Sequence, residues 1–228
     1  MYLVLFDCDG TLVDSQAMIV AAMEHGFRDS GLAPPPRARI LSIVGLSLPV
    51  AVARLADGEP LDRQSAIVAS YSKAFQRLRA DPVEREPLFP GTREALERLA
   101  ARADVVLGVA TGKSRRGLDA VLARHGLAPL FVTLQTADDA PSKPDPTMVR
   151  RALVETGAEA GRTIVVGDTT FDMEMARAAG VRGLGVGWGY HPVERLAAAG
   201  AGRIVEGFAE VPGAVGALLG WHEEETPA

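Results

Sequence analysis

Four short segments gather the side chains able to do acid, base and anion chemistry: Asp7-Cys8-Asp9-Gly10-Thr11, Thr111-Gly112, Lys143, and Gly167-Asp168-Thr169-Thr170-Phe171-Asp172. Asp7 and Asp9 lie two apart at the end of an apolar run, so on an extended strand both carboxylates point to one side and Cys8 to the other. Two such close carboxylates repel unless a positive charge sits between them or one is protonated. One of them could simply cap a helix while the other stays at the surface, but Asp168 and Asp172 bring two further acids beyond another apolar run. Clustered acids suggest an oxygen-ligated divalent cation, and magnesium suits a site that also takes phosphate. Four aspartates, such a cation and Lys143 would still present one negative charge to a phosphate dianion. Protonation of Asp9 removes that charge and supplies a donor to a leaving oxygen. Backbone amides near Gly10 and Thr111-Gly112 could add anion binding. Lys143 reads equally as a solvated loop lysine, yet the chain has only three lysines (Lys73, Lys113, Lys143) among its 24 basic residues.

These segments need strands to hold them. Apolar, β-branched runs at Tyr2 to Phe6, Val105 to Ala110, Phe131 to Leu134, Thr163 to Gly167 and Gly183 to Gly187 have strand length and end in polar or glycine-containing turns. Helical stretches at Thr92 to Arg102, Ser114 to His125, Asp145 to Thr156 and Asp172 to Ala179 alternate with them, and Gly126, Gly157 and Gly180 close three of these. The alternation predicts an α/β fold, a doubly wound parallel sheet covered on both faces. Ligands then sit beyond the carboxyl ends of the strands, where all four segments fall. Gln16 to Glu86 breaks the rhythm. Gln16 to Gly31 and Ser47 to Ala56 read as helices around Pro34-Pro35-Pro36, and Ile67, Tyr71, Phe75 and Leu78 recur at helical spacing. A small all-helical domain inserted after the first strand is the expectation.

Composition bounds the rest. The 228 residues are 47% hydrophobic with a net charge of −5, which fits a globular chain and leaves no basic footprint for nucleic acid. A lone cysteine, Cys8, forms no internal disulfide and reads as a small buried hydrophobe. The start lacks the pattern of a signal peptide, and no apolar run approaches the ~20 residues that span a bilayer. A cytoplasmic protein with no membrane partner is expected. Thr111-Gly112-Lys113-Ser114 is not a P-loop, because Leu107 stands where that motif needs glycine, and Ser114 reads as a helix N-cap. Gly183, Gly185, Gly187 and Gly189 do not spell a dinucleotide fingerprint. His25, His125, His191 and His222 show no metal spacing and read as surface or cap residues.

Asp7 through Ser15, Thr111-Gly112, Lys143-Pro144 and Gly167 through Asp172 resemble, in order and spacing, the four motifs of the haloacid-dehalogenase-like hydrolase superfamily, over roughly residues 1 to 215. The helical insert resembles the cap of the subgroup holding phosphoglycolate phosphatases and β-phosphoglucomutases. The resemblance implies a Rossmann-like catalytic core at 1–15 and 87–220, a helical cap at 16–86 and a flexible tail at 221–228. It implies that Asp7 is a nucleophile forming an aspartyl-phosphate, with Asp9 as general acid and then base. Thr111 and Lys143, with Gly10 and Gly112, would bind the phosphoryl group. Asp7, the Asp9 carbonyl, Asp168 and Asp172 would hold Mg²⁺.

The implied activity is a Mg-dependent phosphatase acting on a small phosphorylated metabolite of phosphoglycolate or sugar-phosphate type, as a monomer or homodimer. A sugar-phosphate mutase would carry the same core residues. Asp9 argues against a dehalogenase, whose halide needs no proton, and Lys73 is poorly placed for the Schiff base of a phosphonate hydrolase. From other classes, a phospho-receiver would carry its acceptor after the third strand rather than the first, and a phosphate sensor on an inactive core would not need the complete set. Gly45-Leu46-Ser47-Leu48, Arg37, Arg39 and Arg54 are candidates to face the site from the insert.

Overall fold

The computed structural model describes residues 1–80 and 86–221. Strands β1 (Tyr2–Phe6), β2 (Val105–Ala110), β3 (Phe131–Gln135), β4 (Thr163–Gly167), β5 (Arg182–Val186) and β6 (Arg203–Val205) form one parallel sheet in the order β3-β2-β1-β4-β5-β6. The first strand is therefore central, flanked by β2 and β4, and the order reverses between β1 and β4. Their carboxyl ends border the crevice where such sheets bind ligands. Five strands coincide with the apolar runs to within a residue. The short edge strand β6 has no such run, since only Ile204 and Val205 of its three residues are apolar.

Alternation along β1 sorts the core. Leu3 and Leu5 face one side, with Met148, Val149 and Ala152 of α7 (Thr147–Thr156) and Met175 and Ala176 of α8 (Thr170–Ala179). Val4 and Phe6 face the other. There they meet Leu96 and Leu99 of α5 (Thr92–Ala100), Leu118 and Val121 of α6 (Arg115–Arg124), and Val211 and Val215 of α10 (Val211–Leu219). Cys8 continues the second side and is buried there, as expected of a small hydrophobe; burial also pushes its thiol well above the usual range. Asp7 therefore continues the first side, toward α7 and α8. Helix α9 (Val193–Ala199) covers β5 and β6.

Between β1 and α5 the described chain is entirely helical: α1 (Gln16–Asp29), α2 (Arg37–Leu41), α3 (Leu48–Leu55) and α4 (Leu61–Ala80). These bury their own core of Met18, Met23, Ile40, Val52, Ile67 and Phe75, to which α8 contributes Phe171. Helices α1 and α4 pack closely at Gly26, where an added Cβ would lie 3.0 Å from the Ile67 carbonyl.

Two expectations fail. Trp221 does not begin a frayed tail: it is buried and packs edge-on against Tyr2, ring centroids 5.1 Å apart, with the Arg102 guanidinium over its face. The rest of the expected tail, with His222, lies outside the described residues. His191 is not a surface residue but is buried at the seam between the insert and the sheet. His125 does cap the end of α6.

Candidate active site

The ends of β1 and β4 bring Asp7, Asp168 and Asp172 together, with one carboxylate oxygen of each within 4.8 Å of the others. All three are buried. Lys143, also buried, reaches Asp7 Oδ1 at 3.0 Å and Asp172 Oδ1 at 2.6 Å. Asp172 owes its position to the start of α8, where it and Thr169 form a reciprocal capping box. Asp168 Oδ1 accepts from the Thr11 hydroxyl at 2.8 Å, and its Oδ2 accepts from the Tyr190 N–H at 2.9 Å. Gly189 is needed beside it, because a Cβ there would fall 2.1 Å from that of Asp168. Gly10, at φ +86°, turns the chain sharply after Asp9 and passes so close to Asp168 that a side chain would overlap the carboxylate.

Three acids share one cation, and the electrostatics follow. Burial pushes the Asp7 carboxyl up to about 7, with Asp172 adding to the rise and Lys143 opposing it. Asp168 lies well above the carboxylate range through burial and the charges of Asp172 and Asp7. Burial would lower Lys143, but Asp172 and Asp7 outweigh that and keep it protonated. Asp7 Oδ1 also accepts from the Cys8 N–H at 2.6 Å, whereas Asp7 Oδ2 is buried with no hydrogen-bond partner among the described residues. An orphaned buried carboxylate oxygen within an all-oxygen acidic cluster fits a hard divalent cation.

Asp9 faces different partners. Lys113 Nζ lies 2.7 and 2.9 Å from its two carboxylate oxygens, and the Ser15 hydroxyl donates to Oδ1 at 2.6 Å. Lys113 also reaches buried Glu86 at 3.3 Å, and the Arg79 guanidinium grips Glu86 with two hydrogen bonds of 2.8 and 3.0 Å. Burial raises Asp9, but the charge and hydrogen bond of Lys113, the Ser15 hydroxyl and Arg79 outweigh it and hold the carboxyl below its ordinary value. In the ligand-free site Asp9 is therefore ionised beside Lys113, a cation that the charge balance read from the sequence omitted. The same rarity of lysine that singled out Lys143 could have found it. Glu86 and Arg79 carry no local signal.

Thr111 and Gly112 end β2 beside Asp7 and Asp9 and line the same cavity. An added Cβ on Gly112 would lie 2.5 Å from the Gly45 carbonyl, so only glycine lets the insert approach so closely. The Gly10 and Thr111 N–H groups donate to the Val13 and Gln135 carbonyls, whereas among the described residues the Gly112 N–H has no such commitment and is the amide of that segment left for an anion. Ser114 caps α6, accepting from the Gly117 N–H.

The cavity, about 190 Å³, lies between the strand ends and the insert. From the insert, Gly45, Leu46 and Leu48 line it as expected; Arg37, Arg39 and Arg54 do not, being engaged with Gln16, the Arg54 carbonyl and the Phe171 ring. Across the seam the Ser47 N–H donates to Ser142 Oγ at 2.9 Å. His191 Nδ1 accepts from the Thr170 N–H, so its Nε2–H donates to the Ser42 carbonyl at 3.2 Å. Burial and Arg195 lower its pKa, consistent with that neutral tautomer. Tyr190, missed by the sequence reading, donates its backbone N–H to Asp168 and accepts from the Ser15 N–H at 3.0 Å through its hydroxyl.

Residues 4–186 match the family described as haloacid dehalogenase-like hydrolase. The chain is 39% identical to "Probable phosphatase IndB" of Dickeya dadantii, covering 95% of this chain and 94% of that one. It is 35% identical to a phosphoglycolate phosphatase of Caulobacter vibrioides, covering 95% and 91%. The fold superposes on a hydrolase from Pseudomonas syringae with a TM-score of 0.82 at 25% identity, covering 94% and 98%.

Proposed function

We propose that this chain, which belongs to the haloacid dehalogenase-like hydrolase family and is a phosphoric monoester hydrolase, transfers the phosphoryl group of a small metabolite to Asp7 and then to water. The observation that carries this reading is the state of Asp7: its carboxylate lines the cavity, with Oδ1 held by Lys143 and the Cys8 N–H and Oδ2 buried without a hydrogen-bond partner among the described residues. A carboxylate so fixed is oriented for attack on phosphorus.

Asp7, the Asp9 carbonyl and Asp168, with Asp172 in or beside that set, would hold Mg²⁺, whose charge would offset that developing on the phosphoryl group. Lys143 steadies Asp7 and lends its charge to the phosphoryl oxygens, and the Thr111 hydroxyl and Gly112 N–H bind them from β2. As the Asp7 carboxylate bonds to phosphorus, the ester oxygen departs and takes a proton from Asp9. The negative charge of the incoming phosphate raises Asp9 against the hold of Lys113, which makes it the site of proton uptake. The resulting Asp9 carboxylate, returned to Lys113 and Ser15, then accepts a proton from the water that attacks the Asp7-bound phosphorus, releasing inorganic phosphate.

Residues 16–86 act in this reading as a cap domain that admits the ester and excludes bulk water during transfer. The Ser47–Ser142 and His191–Ser42 hydrogen bonds support it, since both join cap to core at the cavity's edge.

Asp9→Asn separates the two half-reactions. With p-nitrophenyl phosphate, whose leaving group needs little protonation, the variant should release about one p-nitrophenolate per site and then stall as the Asp7 phosphoanhydride. Steady turnover near the wild-type rate with no burst would overturn the role of Asp9.

A further inference from the structure

The wall of the cavity bears on which esters are hydrolysed. Toward the insert it is apolar: Met23, Ile43 and Leu46, with the rings of Tyr71 and Phe75 nearly parallel at 26° and 5.7 Å apart. The Ser72 hydroxyl, also in the wall, donates back to the Val68 carbonyl. The two cations that approach Asp9 are committed: Lys113 to Asp9 and Glu86, Arg79 by both arms of its fork to Glu86. Glu86 and Lys113 are buried, with side-chain exposures of 1% and 7%. Arg116 also lines the cavity, but it is exposed, where water and salt screen it.

We infer that this hydrolase prefers phosphate monoesters of uncharged, partly apolar alcohols, and that Glu86 sets the preference by occupying the two cations, Lys113 and Arg79, that approach Asp9 among the described residues. The inference rests on the phosphatase reading above. Asp9, Glu86, Lys113 and Arg79 together carry no net charge. A carboxylate on the leaving group would enter as a third anion, either unpaired against apolar side chains or at the cost of an existing ion pair. An alcohol rich in hydroxyls would find the Ser72 hydroxyl, Lys113 and Arg79 already engaged. A neutral group with one flat apolar face meets neither obstacle and covers the Tyr71 and Phe75 rings.

The test compares kcat/KM, by phosphate release with Mg²⁺, for benzyl phosphate, 2-phosphoglycolate and glucose 6-phosphate. Both of the first two leave as alkoxides that need a proton, so their ratio reports the pocket. Benzyl phosphate should exceed 2-phosphoglycolate by at least about tenfold, equivalent to ~1.4 kcal/mol, and should also exceed glucose 6-phosphate. Glu86→Gln frees Lys113 and Arg79 and should shrink the first ratio by about tenfold. Glu86→Ala frees the same two cations without placing an amide beside them and should move the ratio the same way. Equal or better use of 2-phosphoglycolate by the wild type overturns the inference and leaves the phosphatase reading intact. A ratio unmoved in both variants, each folded by circular dichroism, overturns the role of Glu86. No phosphate from any of the three esters would be the failure of the phosphatase reading itself.

Discussion

Asp7 and Asp9 lie two residues apart, yet each belongs to a different electrostatic unit. With all three ionised, Asp7, Asp168 and Asp172 would share Lys143 as the one cation that reaches them among the described residues, an excess of two negative charges. Asp9 and Glu86 are matched one for one by Lys113 and Arg79. Protons or a divalent cation would offset that excess, and Asp7 Oδ2 has no hydrogen-bond partner among the described residues. The second is complete in itself and holds its acid ionised. Both stand on strand ends of the same sheet, so what separates them is the helical insert: α4 brings Arg79, and the chain returning to the sheet brings Glu86.

The largest break in this contrast should come from Asp7→Asn. Phosphate release should fall by more than about 10³-fold, as expected when a covalent nucleophile is lost. The protein should nonetheless melt no lower than wild type in EDTA, because the substitution removes one of the crowded buried charges; a lower Tm there would refute the excess-charge description.

Next is the cation. EDTA should silence the wild type and Mg²⁺ restore it. The pH dependence of the metal-free protein has a defined sign. Asp7 titrates near 7 when folded and near 3.8 when unfolded, so across that window the native state binds more protons, and stability falls as pH rises. Relief by Mg²⁺ should therefore be greater at pH 8 than at pH 5.5, read as a larger rise in Tm. Equal shifts at both pH values would contradict it.

Exchanging the two lysines sharpens the comparison further. Lys143→Met leaves Asp7 and Asp172 without a cation and should cost roughly 10²-fold or more in kcat, by analogy with loss of a preorganised charge at a reacting group. Lys113→Met instead releases Asp9 toward a higher pKa. Its main effect should be a displacement of the acid limb of the p-nitrophenyl phosphate pH–rate profile to higher pH, since Asp9 must be ionised to serve as base. Similar kinetic losses with no change in that limb would merge the two units into one. The smallest effect is expected of Arg79→Lys, which keeps the charge and loses the fork. Urea unfolding should report a loss of about 1 kcal/mol or less, given the partial exposure of Arg79.

What could be read from the sequence, and what could not, follows the same division. The strands and the four aspartates lie in local patterns: an apolar run followed by a charged turn is visible wherever it occurs. Within one turn of the chain the reading even predicted Ser114 as a cap. Lys113, Glu86 and Arg79 were not legible as a set because their pairing spans up to 104 residues between Lys113 and Asp9. The roles of His191 and Trp221 likewise depend on partners far along the chain, Ser42 and Tyr2. Strand β6 escaped notice because three residues carry too little periodicity to register.

The central place of β1 has a consequence for how the molecule is made. The strand that leads into Asp7 leaves the ribosome before both of its neighbours, which begin at Val105 and Thr163. At synthesis rates of about 5–20 residues per second, Tyr2–Phe6 spends on the order of 10–30 seconds as an apolar segment with unpaired edges before β4 emerges. During that interval it is a ready target for a chaperone or for another nascent chain, while the helices that follow it can assemble from local contacts.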